Sequence, residues 1–372
     1  MGIRINKTQT LPIGVDLGTS IAKLAQMKVR EDGIELLAAG AVEIPPEARM
    51  DRRARLRWLA EGIPRVLQSK LFKGRQCILG LPAQDVSVHH VKLPKASAED
   101  TARAVVMELE GKLPCPTDQA VVRHVVAGDL YGDGEPRQEV IAIAVQRSTL
   151  EEYLGLARRV RLDVVGVNVE CCAIVECFAR LFRRTGDSAR TTMYLDIGHS
   201  STQVVLSHGQ RMVFARNLAM GGERFDKAVA AGMEISPEQA HALRRELSGE
   251  GKKDPAAEEA LYHMLDDAVA GLVEELNQCI RYYESVFRNQ LIERAIFVGG
   301  QAYDKRLCQT VARQLNLPAQ VADPLVRVKR VEGAGLEWGL DRRNPQPDWA
   351  VAVGLSLGAG QEAAAPSAGV AA

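Results

Sequence analysis

The chain has no surplus of either charge: its 372 residues carry 47 Lys plus Arg against 47 Asp plus Glu. That balance argues against a protein that coats nucleic acid or holds to acidic lipid through a global field. Long hydrophobic runs are missing too. No uncharged apolar stretch approaches the ~20 residues that span a bilayer, and the longest, 350–360, is short and rich in glycine and alanine. The start, MGIRINKTQTLPIGVD, is basic but has no apolar stretch of signal-peptide length before Asp16. Seven cysteines, an odd number, do not form a disulfide framework. Cys171, Cys172 and Cys177 cluster without the paired spacing of a zinc site, so they are expected to be small buried residues in a reducing cytosol.

What is present is an ordinary globular composition, 46% hydrophobic and 25% charged, which excludes disorder over most of the length. At roughly 150 residues per domain the chain divides into two or three units. Residues 11–17, 21–29 and 34–44 read as strands, the first two joined by a glycine turn. Leu56, Leu59, Ile63, Val66, Leu67 and Leu71, at three- and four-residue steps, predict a helix. Pro64 is expected to kink that helix or to sit in its first turn. Residues 77–81, stopped by Pro82, complete the group as a buried strand. The same order recurs. Residues 192–197, 202–206 and 211–215 read as strands, a helix follows Gly221-Gly222, and 295–298 closes the group before Gly299-Gly300. Two such units half a chain apart indicate a duplicated α/β domain.

Two inserts separate the repeated parts. Residues 83–165 offer alternating Val86, Val88 and Val91, a helix from about Ala98 with Ser97 and Asp100 as a capping box, two strands and a second helix. The two strands are joined by the turn-rich 128–134. This predicts a small α+β subdomain. Residues 231–290 read as almost wholly helical, with a charged linker at 249–254. The expected organisation is an N-terminal segment 1–11, a first subdomain 12–82 with 166–190, the α+β insert 83–165, a second subdomain 191–230 with 291–360, the helical insert 231–290, and a disordered Ala-rich tail 361–372.

Chemistry concentrates at the strand ends. Asp16, Gly18, Thr19 and Ser20 form the first candidate site: glycine lets backbone N–H groups converge on an anion, and the hydroxyls donate to phosphate oxygens. An aspartate beside polyphosphate needs a cation between them, so Asp16 suits an outer-sphere Mg²⁺ ligand acting through water. Taken alone, a tight hairpin with polar turn residues explains the motif equally well. Asp196, Gly198, Ser200, Ser201 and Thr202 repeat the design, and the matched pair is the stronger signal. Two such loops facing each other would clamp a triphosphate with Mg²⁺ between their carboxylates. Gly299, Gly300 and Gln301 close a strand where a flat ligand can approach. Gly221 and Gly222 either offer backbone N–H groups at a helix start or form a simple cap. Glu170 either orients a water near Mg²⁺ or the γ-phosphate, or is a first-turn acid favoured by the helix dipole.

These motifs resemble the actin-like ATPase superfamily: a phosphate loop at 14–20, a second at 196–202 and an adenosine motif at 297–302. The Gly-Gly-Glu-x-Phe-Asp stretch, 221–226, is similar to that of the heat-shock chaperone ATPases. Within the superfamily, Leu79-Gly80-Leu81-Pro82 through Val91-Lys92-Leu93-Pro94, Leu113-Pro114-Cys115-Pro116 and Val167-Asn168-Val169-Glu170 resemble the PilM-type type IV pilus assembly proteins, relatives of the division protein FtsA. The resemblance implies an actin-like fold of duplicated ribonuclease-H-like domains. It also implies a cytoplasmic adaptor that binds ATP with Mg²⁺ and is at most a slow ATPase. Its implied partner is the cytoplasmic N-terminal peptide of a PilN-like inner-membrane protein, through which it lies at the inner membrane without inserting into it. Other pilus platform and motor proteins are further implied partners, nucleic acid is not one, and self-association stays open. In the family a Glu and a Lys reach adenosine from the helical insert. Here Arg244 stands for the lysine, His241 stands where the Glu is expected, and Asn168 where an acid is expected. Two other readings are a small-molecule kinase, which needs a substrate base and pocket, and an FtsA-like filament former. The tail lacks the basic and bulky apolar alternation of a membrane-binding helix.

Overall fold

The computed structural model describes residues 8–362 except 69–70, 131–134, 183–185, 187–189, 250–253, 289 and 341–343. Most of the expected tail, 363–372, and parts of the expected 128–134 turn and 249–254 linker therefore lie outside the described residues. In chain order the first elements are β1 (Gln9–Asp16), β2 (Ile21–Arg30), β3 (Gly33–Glu43), α1 (Pro46–Arg49), α2 (Arg52–Leu67) and β4 (Gln76–Leu81). They are followed by β5 (Ser87–Pro94), α3 (Ala98–Glu108), β6 (Ala120–Leu130), β7 (Arg137–Gln146), α4 (Arg147–Arg159), β8 (Asp163–Val169) and α5 (Glu170–Ala179). Next come β9 (Thr191–Ile197), β10 (Thr202–His208), β11 (Arg211–Leu218), α6 (Gly222–Met233), α7 (Pro237–Ser248) and α8 (Pro255–Val286). The chain ends with β12 (Ile292–Val298), α9 (Lys305–Leu315), β13 (Ala319–Val321), β14 (Val328–Arg330) and α10 (Ala350–Glu362).

Two compact units result. The first comprises Met1–Val86, Val145–Leu181 and Asp323–Ala372. Its sheet has the order β14-β3-β2-β1-β4-β8. Six consecutive residues of β2, Ala22 to Met27, are buried, as expected for a strand covered on both faces. Helix α10 is the apolar stretch 350–360 of the sequence, and it packs on β1 and α5. Ser356, buried among its apolar residues, donates to Pro12 O at 2.7 Å and accepts from Met27 N–H at 3.0 Å. Those backbone groups sit where the ladders of β1 and β2 slip register, so the serine completes hydrogen bonds that the irregularity leaves open.

The second unit comprises Ser87–Ala144 and Phe182–Ala322. Its main sheet has the order β11-β10-β9-β12-β13, which repeats the β3-β2-β1-β4-β8 part of the first sheet strand for strand. The duplication expected from the motifs is present. A second, three-stranded sheet, β5-β7-β6, packs α3 over Val91, Leu93, Val105, Leu109 and Val140. It is tied to β11 and α8 through a buried polar cluster. The His90 ring stacks on Phe214 with centroids 4.6 Å apart, and His90 lies 3.0 Å from Ala215 O and 2.9 Å from Glu139 Oε1. The Tyr282 hydroxyl donates to the same Glu139 oxygen at 2.7 Å.

Several details differ from the sequence expectation. From Asp323 onward the chain packs with the first unit, because β14 pairs with β3 and α10 packs on β1; the sequence had placed 291–360 in the second. Helix α4 packs on α2, so of the expected 83–165 insert only Ser87–Ala144 joins the second unit. Pro64 lies in the last turn of α2, where the helix ends within a few residues. Ser97 caps α3 by accepting from Asp100 N–H at 3.2 Å, but the Asp100 side chain takes the Ser97 hydroxyl, so the box is not closed. The cysteines are free, and burial pushes the thiols of Cys77 and Cys177 up to about 12, as inert core residues require.

Candidate functional site

In the second unit, three stretches far apart in sequence meet. β9 ends at Asp196-Ile197 and turns through a hairpin closed by Gly198 N–H donating to Ser201 O at 2.9 Å. The start of α6 is fastened to that hairpin: Gly222 N–H donates to Gly198 O at 2.9 Å and Glu223 N–H to His199 O at 2.8 Å. Gly221 makes this approach possible, since a Cβ there would come within 2.7 Å of His199 O and Ser201 N. Gly299 follows β12 with φ +86°, a left-handed conformation, and a Cβ on it would fall on the Asp196 carboxylate. Asp196, the 198–201 hairpin, the head of α6 and the 299–301 turn therefore form one surface.

The candidate residues divide there by what they offer. Ser200, Ser201 and Asp196 are half-buried and Gly300 is exposed. Thr202 is fully buried, and its hydroxyl donates to Met220 O at 2.6 Å, so it braces the hairpin instead of facing outward. The first two N–H groups of α6, at Gly222 and Glu223, are engaged by hairpin carbonyls, so the Gly222 N–H is not left for an anion, and Gly222, like Gly221, is a close-packing position: a Cβ on it would meet the Gln301 side chain.

Behind the surface lies an ionic core that the motifs do not announce. Arg244 of α7, 5% exposed, donates to Asp226 Oδ1 at 2.6 Å, to Gln301 Oε1 at 2.7 Å and to Gly222 O at 3.3 Å. Its guanidinium lies 5.2 Å over the Phe225 ring. His241 Nδ1 is 3.0 Å from Asp226 Oδ2. Burial alone would raise the Asp226 carboxyl, but hydrogen bonds from His241 and Arg244 outweigh it and hold it below the usual range. Arg244 thus ties α6, through Asp226 and Gly222 O, to the 301 turn, through Gln301, and His241 braces Asp226. Asp304 caps α9 through Leu307 N–H at 2.9 Å and accepts from the Tyr262 hydroxyl of α8, fixing the far side of the turn.

The first unit carries the matching hairpin. Asp16 pairs in register with Lys23 on β2 and Gly80 on β4, and Gly80 with Asn168 on β8. These residues form one row across the sheet. Asp196 pairs likewise with Gln203 and Val298. The two acids therefore occupy equivalent places, each seven residues before its partner on the next strand. Gly18, Thr19 and Ser20 are half-exposed in the turn, and Glu170 is the first residue of α5. Asn168 accepts from Val169 N–H at 2.8 Å.

Asp16 is only 9% exposed, and Lys23 beside it reaches Asp348 Oδ2 at 2.9 Å and Asp348 O at 2.8 Å. Burial pushes the Asp16 carboxyl up to about 6, against the pull of Lys23 and with a further push from Asp348. A raised carboxyl prefers its proton in the fold. The cost of ionising it is absent below an ordinary carboxyl pKa, grows up to about 6 and is fully present above that. Asp16→Asn is therefore expected to stabilise the protein by about 1–3 kcal/mol at pH 8 and hardly at pH 4. Urea unfolding at the two pH values checks this, and an equal effect at both would contradict it.

Among the described residues, no helix is long and apolar enough to cross a membrane. The family model described as Type IV pilus assembly protein PilM matches residues 14–359. A chain of a PilM-PilN type IV pilus biogenesis complex superposes with a TM-score of 0.77 at 21% identity, over 94% of this chain and 98% of that one. The ethanolamine utilization protein EutJ from Carboxydothermus hydrogenoformans follows with a TM-score of 0.50 at 14% identity, over 93% and 89% of the two chains. At those identities the likenesses speak to the fold, and they agree with the duplicated sheets in making it actin-like. With the family match covering nearly all of its length, the chain belongs to the PilM family of type IV pilus assembly proteins.

Proposed function

We propose that this protein is a nucleotide-gated adaptor of type IV pilus assembly. In this reading it binds ATP with Mg²⁺ and captures the cytoplasmic N-terminal peptide of a PilN-like inner-membrane protein. It thereby links the pilus motor to the membrane platform from the cytoplasmic side. The observation that carries the nucleotide half is the convergence of Asp196, the 198–201 hairpin, Gly221 and the 299–301 turn on one glycine-cleared surface. The partner half is supported by family membership and by the complex in which the similar chain was solved with PilN.

The residues fit the group. Gly198, Ser200 and Ser201 would take phosphate oxygens, and Asp196 a magnesium-bound water. Gly299, Gly300 and Gln301 would lie against the adenosine, with Arg244 holding Gln301 in place. In the first unit Gly18, Thr19 and Ser20 would serve phosphate oxygens and Asp16 a magnesium water, with Glu170 orienting a water. Bound magnesium would supply the positive charge and ordered waters that let carboxylates stand near a polyphosphate. The chain's own part is to bind and orient, and slow turnover suits a gate that works by favouring one conformation.

The test uses the full chain and a biotinylated peptide copying the cytoplasmic N-terminus of the PilN-like protein. By interferometry, the peptide is expected to bind, with at least a ~5-fold change in affinity on adding Mg-ATP. Absence of peptide binding would overturn the partner assignment, and identical affinity with and without nucleotide would overturn the gate.

A further inference from the structure

The outer edge of β3 carries a groove of about 700 Å³, wholly within the first unit. Its origin is the early departure of β14. That strand pairs with β3 only from Val328 to Arg330, opposite Ile34 to Leu36. After Val331 N–H donates to Leu36 O at 3.0 Å, no strand continues along the edge among the described residues. On its other side β3 stays paired with β2 as far as Glu43 opposite Ile21.

The ladder fixes which backbone groups face the groove. Ile44 N–H donates to Ser20 O at 2.8 Å. By the alternation of antiparallel pairs, Val42 and Gly40 bond toward β2, while Ala39, Ala41 and Glu43 direct their N–H and C=O groups outward. Glu43 agrees: its carbonyl accepts from the Trp58 indole at 2.8 Å. Ala39 and Ala41 line the groove, and Ala41 is 2% exposed. No described residue takes up their outward groups. With no strand beside them, these groups make the edge an unfinished ladder with a polar repeat of two residues.

The walls choose the side chains. Trp58 and Trp338, two of the three tryptophans in the chain, flank the groove, and Glu43, Glu61 and Glu337 stand on its exposed rim against a single base, Arg65. Aromatic faces beside carboxylates favour a cation. On the same edge the fold already places a basic strand, Val328-Lys329-Arg330. We propose that the free part of β3 is a docking site for an extended basic segment of a partner protein. That segment adds as a strand beside Ala39 and Ala41 and sets a Lys or Arg between the tryptophans and the glutamates. The site is separate from the residues assigned to nucleotide, and does not rest on that assignment.

The probe is a fluorescein-labelled hexapeptide, Val-Arg-Val-Lys-Arg-Val, copying residues 326–331, with Val-Glu-Val-Glu-Glu-Val as its acidic counterpart. Titrated with the full chain to about 1 mM and read by anisotropy, the basic peptide is expected to bind and the acidic one to bind at least ~10-fold more weakly. The Glu43→Lys/Glu61→Lys variant should lose about 10-fold in affinity. So should Ala41→Pro, which removes one outward N–H at an edge position where proline is tolerated, provided its circular dichroism and melting are those of the parent. Failure of the basic peptide to bind at about 1 mM, equal affinity for the two peptides, or indifference to the charge inversion would overturn the proposal. Loss on charge inversion with full binding by a folded Ala41→Pro would overturn strand addition.

Discussion

Arg244→Met is expected to lower folding stability by about 3–5 kcal/mol, because it leaves a buried carboxylate without its main partner. Asp226 is 3% exposed, and in the variant only His241 would still face it, while Gln301 Oε1 would lose the donor that now lies 2.7 Å away. The cost comes from desolvation of an unpaired charge more than from lost attraction. A companion substitution should therefore recover it. Arg244→Met with Asp226→Leu removes both charges and is expected to regain at least half of the lost stability. Urea unfolding of the two variants beside the parent measures this. A single variant costing under about 1 kcal/mol would contradict the account, as would a double variant worse than the single.

Asp196→Ala has the second large effect, and its target is binding. The side chain is half-buried beside Gly299 and the 198–201 hairpin, so truncation leaves the glycine cradle in place. If Asp196 holds a magnesium water, affinity for Mg-ATP should fall about 10–100-fold, with a much smaller change for ATP in EDTA. Equal losses with and without the metal would mean that Asp196 shapes the hairpin without serving the cation. The Asp16 prediction complements this one: its carboxyl must ionise to serve a cation, so Mg-ATP binding should weaken as pH falls below about 6.

Much of this was legible in the sequence because it is local. Asp16 and Asp196 close strands whose apolar runs and following glycines can be read directly, and the equal seven-residue spacing to Lys23 and Gln203 is the structural form of that repeat. The shared β3-β2-β1-β4 and β11-β10-β9-β12 orders are the form that repeat takes in the two sheets. The rest was hidden because long-range pairing leaves no period. Lys23 meets Asp348, 325 residues later, and nothing near either residue announces the other. β14 and β13 are three residues each, too short for an alternation to register. The role of Arg244 was legible in part. The family resemblance pointed it toward adenosine, but its contacts with Gln301 and Asp226 were hidden, and Asp226 reads locally as one acid in a helix's first turns. Thr202 shows the opposite error: a hydroxyl in a phosphate-loop pattern whose oxygen the fold turns inward to Met220. The single signal for Lys23 was a lone cation inside the apolar strand IAKLAQM, where an ion-pair partner is required.

If the glycine-cleared surface around Asp196 binds a magnesium-complexed purine triphosphate, calorimetric titration of the intact, folded protein with Mg-ATP should give saturable heat with one nucleotide bound per chain, sharply reduced in Asp196→Ala. Flat titrations with both ATP and GTP, on protein whose circular dichroism and melting show it to be folded, would contradict it.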